Sequence, residues 1–168
     1  DVYKRQALRL CQLQMLRVMP EPGFRLPGSV MADLSLVRYH GYSQLPEAAP
    51  LLEQIQREEG ESLAHGIHLI VVQSADGSLV VGDSHHYGAA PEPFASEHVD
   101  TLILRHLRET LRLREATVTA RWVGTYPSSP DTDCLIDAPD DATRVVLVTS
   151  GTGASTAFGI AEEVFAGW

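Results

Sequence analysis

An α+β fold, built on a mostly antiparallel sheet with flanking helices, is predicted by three observations. Two β-rich runs, residues 67–73 and 78–83, are joined by Ser74-Ala75-Asp76-Gly77. An Asp-Gly turn between such runs reads as a hairpin. Residues 96–113 carry Val99, Leu102, Ile103, His106, Leu107, Thr110 and Leu111 at helical spacing, the stripe of a helix packed on a sheet. Finally, the β-branched run 143–150 passes straight into Gly151-Thr152-Gly153 and a helix over 154–166. Hairpins dominate this order, so the sheet is antiparallel, with one strand–glycine turn–helix unit closing the chain.

The remaining elements follow from local signals. Residues 7–19 alternate polar and apolar side chains, which predicts a strand, although Leu, Gln, Met and Arg also suit a helix. Pro20-Glu21-Pro22-Gly23 stops either one. Residues 35–42 read as a strand. Pro46 opens a helix to about His65, with Ala49, Leu52, Ile55 and Gln56 at helical spacing. Arg105, Arg108 and Arg112 are expected to point outward from the 96–113 helix. Residues 117–126 and 134–137 read as further strands, and 143–150 as a fully buried one.

Composition narrows the class. The 168 residues carry a formal net charge of −9 and are 44% hydrophobic. That is enough apolar content for a core, and the acidic balance speaks against nucleic-acid or anionic-membrane partners. Two cysteines, Cys11 and Cys134, do not make a disulfide scaffold and fit a reducing, cytoplasmic setting. No apolar run reaches the roughly 18 residues a span needs. The opening DVYKRQ, residues 1–6, resembles a translated transposon mosaic end from sequencing libraries. It is set aside as a non-native scar, with the native gene expected to continue upstream.

Three places carry chemistry. At Ser150-Gly151-Thr152-Gly153-Ala154-Ser155 a strand ends, glycines admit close backbone approach, and a helix begins with free N–H groups and a positive dipole end. An anionic or electron-rich ligand suits such a tip, and so does plain helix–strand packing. The segment is neither a Walker loop nor GxGxxG. At Gly82-Asp83-Ser84-His85-His86-Tyr87-Gly88, one of His85 and His86 is expected to line a pocket as an acid–base group. Neighbouring residues on extended chain point to opposite sides, so no metal site is expected there. In Arg121-Trp122-Val123-Gly124-Thr125-Tyr126, Gly124 between two same-face aromatics makes a flat slot for a planar group, or a bulge.

The ordered set CQLQMLRVMPEPGFRLPGSVMADLSLVRYHGY, HGIHLIVVQSADGSLVVGDSHHYG, RWVGTYPSS, DCLIDAPDD and VVLVTSGTGASTAFGIAEEV resembles the C-terminal half of an FAD-dependent oxidoreductase. The superfamily is that of D-amino-acid, glycine and sarcosine oxidases, and the nearer likeness is to a subgroup proposed to act on aminophosphonates. The resemblance covers residues 7–168. It implies a substrate domain over 7–137 and, over 138–168, the last strand and helix of an FAD-binding domain whose GxGxxG half is not in this sequence. It implies that Gly151, Thr152, Gly153 and Ala154, flanked by Ser150 and Ser155, approach the flavin. Gly124 stands where sarcosine oxidases attach flavin through Cys, so non-covalent FAD is expected. Tyr126 and Ser155 stand where relatives hold a substrate carboxylate with Arg or Lys, a departure that weakens the case for an amino-acid substrate.

The resulting expectation is oxidation of a small amine to an imine that hydrolyses, with the isolated chain inactive. His85, His86 and Tyr126 are the catalytic candidates, and Arg38, Arg121 and Tyr126 the candidates for binding substrate. No metal is expected, and the oligomeric state is left open. A stand-alone binding module and a small α+β hydrolase are the alternatives.

Overall fold

The computed structural model describes residues 8–168. The DVYKRQ string and Ala7 lie outside them. The chain divides into two compact units, one of residues 12–86 and 92–124, the other of 87–91, 125–168 and the segment up to 11.

The larger unit holds the core. β1 (Arg9–Pro20) is a strand, not a helix, and buries alternate residues from Gln12 through Gln14, Leu16 and Val18. Pairing on both sides decides this, since tertiary contacts override the weak helix preference of its residues. β2 (Val30–Met31) follows, then a 3-10 turn at Asp33–Ser35, α1 (His40–Ser43), α2 (Ala48–Glu58) and α3 (Gly60–Ala64).

Two expectations fail in this stretch. The strand expected at 35–42 is absent, because its amides bond locally: Leu36 N–H reaches Asp33 O at 2.8 Å and Tyr39 N–H reaches Ser35 O at 3.1 Å. Apolar content alone does not make a strand when no ladder partner lies alongside. The single helix expected from Pro46 is broken at Glu59, whose φ of −131° is not helical. Gly60, a residue that weakens helix continuity, starts the next one.

β3 (Ile70–Gln73) and β4 (Leu79–Gly82) form the expected hairpin, with Ile70 opposite Gly82 and Gln73 opposite Leu79. Gly77 sits at φ +87° in its turn, a conformation glycine reaches without cost. β4 pairs with β1, and β2 with β3, all antiparallel. With β5 (His86–Gly88) the sheet order is β2-β3-β4-β1-β5, and β6 (Ala116–Ser128) also pairs with β1.

α4 (Glu97–Thr110) packs on this sheet. Ser96 caps it, its hydroxyl accepting from Val99 N–H at 3.4 Å. Val99, Leu102, Ile103 and Leu107 meet Leu16, Val18, Leu69, Val71, Leu79 and Val81 in one cluster. Each such side chain contributes about 1.5–3 kcal/mol by leaving water. Thr110, expected on the buried stripe, is exposed. Arg105, expected to point outward, is half-buried against Glu59 and Ser62.

Two glutamines fasten the segment before α4. Gln12 donates from Nε2 to Glu92 O at 2.7 Å and accepts at Oε1 from Glu92 N–H at 2.8 Å. Gln14 does the same with Ser96, at 2.9 and 2.7 Å. A side-chain amide has the donor and acceptor of a peptide group, so each glutamine acts as an added rung of strand. Gln14 Nε2 also donates to the buried Asp100 carboxylate at 2.8 Å.

In the smaller unit, β7 (Cys134–Asp140) and β8 (Thr143–Val148) form a hairpin with Cys134 opposite Val148. α5 (Gly153–Ala166) follows. β8 is not the fully buried strand expected: Val145 and Val146 are 52% and 40% exposed. It belongs to a two-stranded sheet, which leaves strand side chains more open than a central strand of a larger sheet would. α5 buries no residue, and Phe158 and Phe165 are exposed at 87% and 69%. No described helix is long and apolar enough to cross a membrane.

Candidate active site

The glycine tip belongs to the smaller unit. The strand leading into it is pinned: Thr149 N–H bonds Asp133 O at 2.9 Å, its hydroxyl bonds Thr132 O, and Ser129 N–H bonds Thr149 O at 3.2 Å. Beyond it, Ser150 Oγ lies 2.7 Å from Thr152 Oγ1. Thr152 O collects the Ser155 and Thr156 N–H groups at 3.0 and 3.1 Å, and their hydroxyls at 2.9 and 3.0 Å. No side chain caps the first turn of α5. Ser155 and Thr156 N–H turn back to Thr152 O, which leaves the Gly153 and Ala154 amides, with the positive dipole end, as the donors the tip can offer.

The two glycines border different neighbours. A Cβ on Gly153 would meet Val148 Cγ1 at 3.5 Å, an ordinary van der Waals contact with the end of β8. A Cβ on Gly151 would find only the Tyr126 hydroxyl, at 3.7 Å. Gly151, Thr152, Ala154 and Ser155 are exposed. The tip is open, and Tyr126 stands at its edge.

The histidine-rich segment belongs to the larger unit. His85 and His86 do face opposite ways. His85 is buried and stacks on His68, ring centroids 4.7 Å apart. Its Nδ1 lies 3.0 Å from Gly66 O, which fixes the proton on Nδ1. His86 turns to the other side, with Nε2 3.0 Å from His65 Nδ1. There it lines a cavity of about 190 Å³ with His65, Gln12, Gln14, Glu92 and Phe94. Of the two candidates, His86 is the one that lines this cavity. Burial, and then the neighbouring His65, hold His86 below the ordinary imidazole range.

Asp83 belongs to the segment singled out from sequence, but its grouping with His68 was not expected. His68 Nε2 lies 3.3 Å from Asp83 Oδ1, and His85 Nε2 lies 3.7 Å from Asp83 Oδ2. Burial pushes Asp83 up to about 7, against the pull of Arg38. It pushes His68 down to about 3, helped by His85 and Arg38, and His85 down to about 4, helped by Arg38. The imidazoles are thus neutral around a carboxyl, and the contacts are not an ion pair. Pairing across the β3–β4 ladder is what unites these residues, and an alternation reading of one strand does not show it.

The other candidates are placed as follows. Arg38, half-buried, acts electrostatically on this same group. Arg121 is committed to structure, with Nε 2.8 Å from Asp100 Oδ2. Gly124 faces Leu13, whose Cδ1 would lie 3.7 Å from an added Cβ, so an aliphatic side chain borders the expected slot. Ser84 is fully buried and accepts from Gln14 N–H at 3.1 Å. Ser62 and His106 lie 2.8 Å apart beside Glu59 and Glu109, a serine–histidine–carboxylate group. Ser62 is 0% exposed, so no substrate reaches it and it gives no support to a hydrolase.

The sequence model of one protein family, described as FAD dependent oxidoreductase, matches residues 25–166. No curated protein and no solved structure matches the chain.

Proposed function

Because the chain belongs to the FAD-dependent oxidoreductase family, we propose that it forms the substrate-facing part, 7–137, and the closing strand and helix, 138–168, of an enzyme that oxidises a small amine, with aminophosphonates as the favoured class. The observation that carries this reading is the open, uncapped glycine start of α5. Its residues fit a flavin: Gly151 leaves room for a planar ring edge, and the Gly153 and Ala154 amides suit the negative charge of a reduced pyrimidine. Ser150 to Ser155 would hold the cofactor without a covalent link, since Gly124 offers no nucleophile. When bound, the flavin supplies the acceptor for the hydride of the amine C–H bond.

The chain's own residues supply positioning and proton control. His86, on its cavity, accepts the ammonium proton and keeps the amine neutral, so that its lone pair can drive hydride departure. Arg38 is kept as the candidate cation for an anionic head group, and Asp100 holds Arg121. Tyr126 donates a hydroxyl beside Gly151. The imine product hydrolyses to a carbonyl compound and a released amine or ammonia. The exposed apolar side chains of α5 and β8 support the further reading that a dinucleotide-binding half completes the enzyme.

Two measurements test the proposal. The protein joined to its dinucleotide-binding half is expected to carry a flavin spectrum that bleaches anaerobically with a small amine; a colourless protein overturns the reading. The chain by itself is expected to bind FAD more weakly than about 1 μM, because a complete site spends binding energy on the pyrophosphate as well.

A further inference from the structure

The ends of β3 and β4 enclose a donor set that amine oxidation does not use. His68, Asp83 and His85 each place one ligand-type atom within 4.8 Å of the others. His68 Nε2 and Asp83 Oδ1 are sealed from solvent without a hydrogen-bond partner, whereas buried polar atoms are ordinarily satisfied. The far side of each ring is engaged. Gly66 O takes the His85 Nδ1 proton at 3.0 Å, and Ser35 Oγ lies 3.4 Å from His68 Nδ1, where it can accept one. Neutral rings held this way present their Nε2 lone pairs toward a carboxylate, which is also an acceptor. A proton or a cation is what such a group of acceptors lacks.

From this geometry we infer a binding site for one divalent transition ion of the zinc class. Metal–ligand bonds of about 2.0–2.2 Å at tetrahedral angles hold ligand atoms about 3.3–3.5 Å apart. His68 Nε2–Asp83 Oδ1, at 3.3 Å, falls in that range; His85 Nε2 lies 3.7 Å from the other carboxylate oxygen, Oδ2, and the three groups each bring a ligand atom within 4.8 Å of the others, so small side-chain rotations bring them onto one ion. Two imidazoles and one carboxylate suit zinc, leaving a fourth position open. The carbonyl and hydroxyl behind the rings are the outer partners that fix tautomer and ring direction in such sites. Arg38 and the Tyr39 ring, 5.4 Å from His68, face the group from the preceding segment. The ion ties the entry of β3 to the exit of β4.

The test uses the 168-residue chain, stripped by chelator and titrated with Zn²⁺ alone, and with Co²⁺ as a visible reporter. One ion per chain is expected, with the visible absorption of low-coordinate Co²⁺. In a long-range proton–nitrogen spectrum, Zn²⁺ is expected to move the ring resonances of His68 and His85. Asp83→Asn keeps the shape and removes the charge, and is expected to weaken binding about tenfold or more. His65→Ala disturbs the His65–His86 pair and is expected to leave binding unchanged. Three results overturn the inference: a folded wild-type chain that takes up no ion, an ion that moves only His65, His86 or His98, or a folded Asp83→Asn that binds like wild type.

Discussion

His68 and Asp83 exchange both backbone hydrogen bonds just past the ends of β3 and β4, at 3.2 and 3.3 Å. A pair bonded this way puts its side chains on one side of the ladder, and His85 folds back over them. Gly66 makes the fold-back possible. Its φ is +60°, and a Cβ there would stand 2.9 Å from both His85 Cβ and His85 O.

Gly66→Ala is therefore expected to lose stability twice, through backbone strain and through a clash with backbone atoms that cannot swing away. The combined cost is about 2–4 kcal/mol. Urea unfolding measures it, and an unchanged midpoint would contradict the account.

Ser96→Ala removes the hydroxyl that caps α4 but keeps the backbone bonds to Gln14. A loss of about 1 kcal/mol is expected, largely recovered by Ser96→Asp. Equal stability of the alanine and aspartate variants would show that the cap contributes nothing.

Asp100 is buried, whereas Arg121 is about half exposed. Asp100→Ala strips a partner from Gln14 Nε2 and should cost about 1–3 kcal/mol. Arg121→Ala should cost less than about 1 kcal/mol. In the flavin-bearing enzyme, Arg121→Ala should leave KM alone. A large rise in KM at unchanged stability would return Arg121 to the substrate.

Gly151→Ala meets no close neighbour, so the fold should keep its melting temperature. The added methyl occupies the approach to the helix tip, and flavin affinity should fall about tenfold, or about 1.4 kcal/mol. Unaltered affinity would place the flavin elsewhere.

Asp76 sets a pH response in the hairpin turn. Its carboxylate accepts from the Ser78 hydroxyl at 2.6 Å and the Ser78 N–H at 3.0 Å. The hydroxyl first, then the amide, hold Asp76 below the usual carboxylate range. A group depressed in the folded state contributes above its unfolded value and loses that contribution as pH falls through the folded one. Turn stability should thus decline below about pH 4. Asp76→Asn should remove that slope, and proton exchange of the Ser78 amide reads it.

The hairpin, α4 and the glycine-led α5 were legible in the sequence because each is written locally, in a turn dipeptide, a 3.6-residue stripe and a strand–glycine junction. What depends on distant chain was not. Residues 35–42 have strand-like side chains but bond locally, and the run at 143–150 has buried-type residues in a sheet of two strands. The opposite facing of His85 and His86 follows from strand geometry alone. The gathering of His68 with Asp83 and His85 needed the register between two strands. Arg121 looked like an anion fork because Asp100, at a helical position beside Val99, gave no sign that it would be buried.

Pro91 and Pro93 have no N–H to offer, so Glu92 carries the single amide of that tripeptide, and Gln12 grips it through main-chain atoms. The grip ignores which side chain position 92 bears. The bond itself excludes only proline at that position, whereas exchanging Gln12 for glutamate would set a carboxylate against the Glu92 carbonyl and loosen the strap at once.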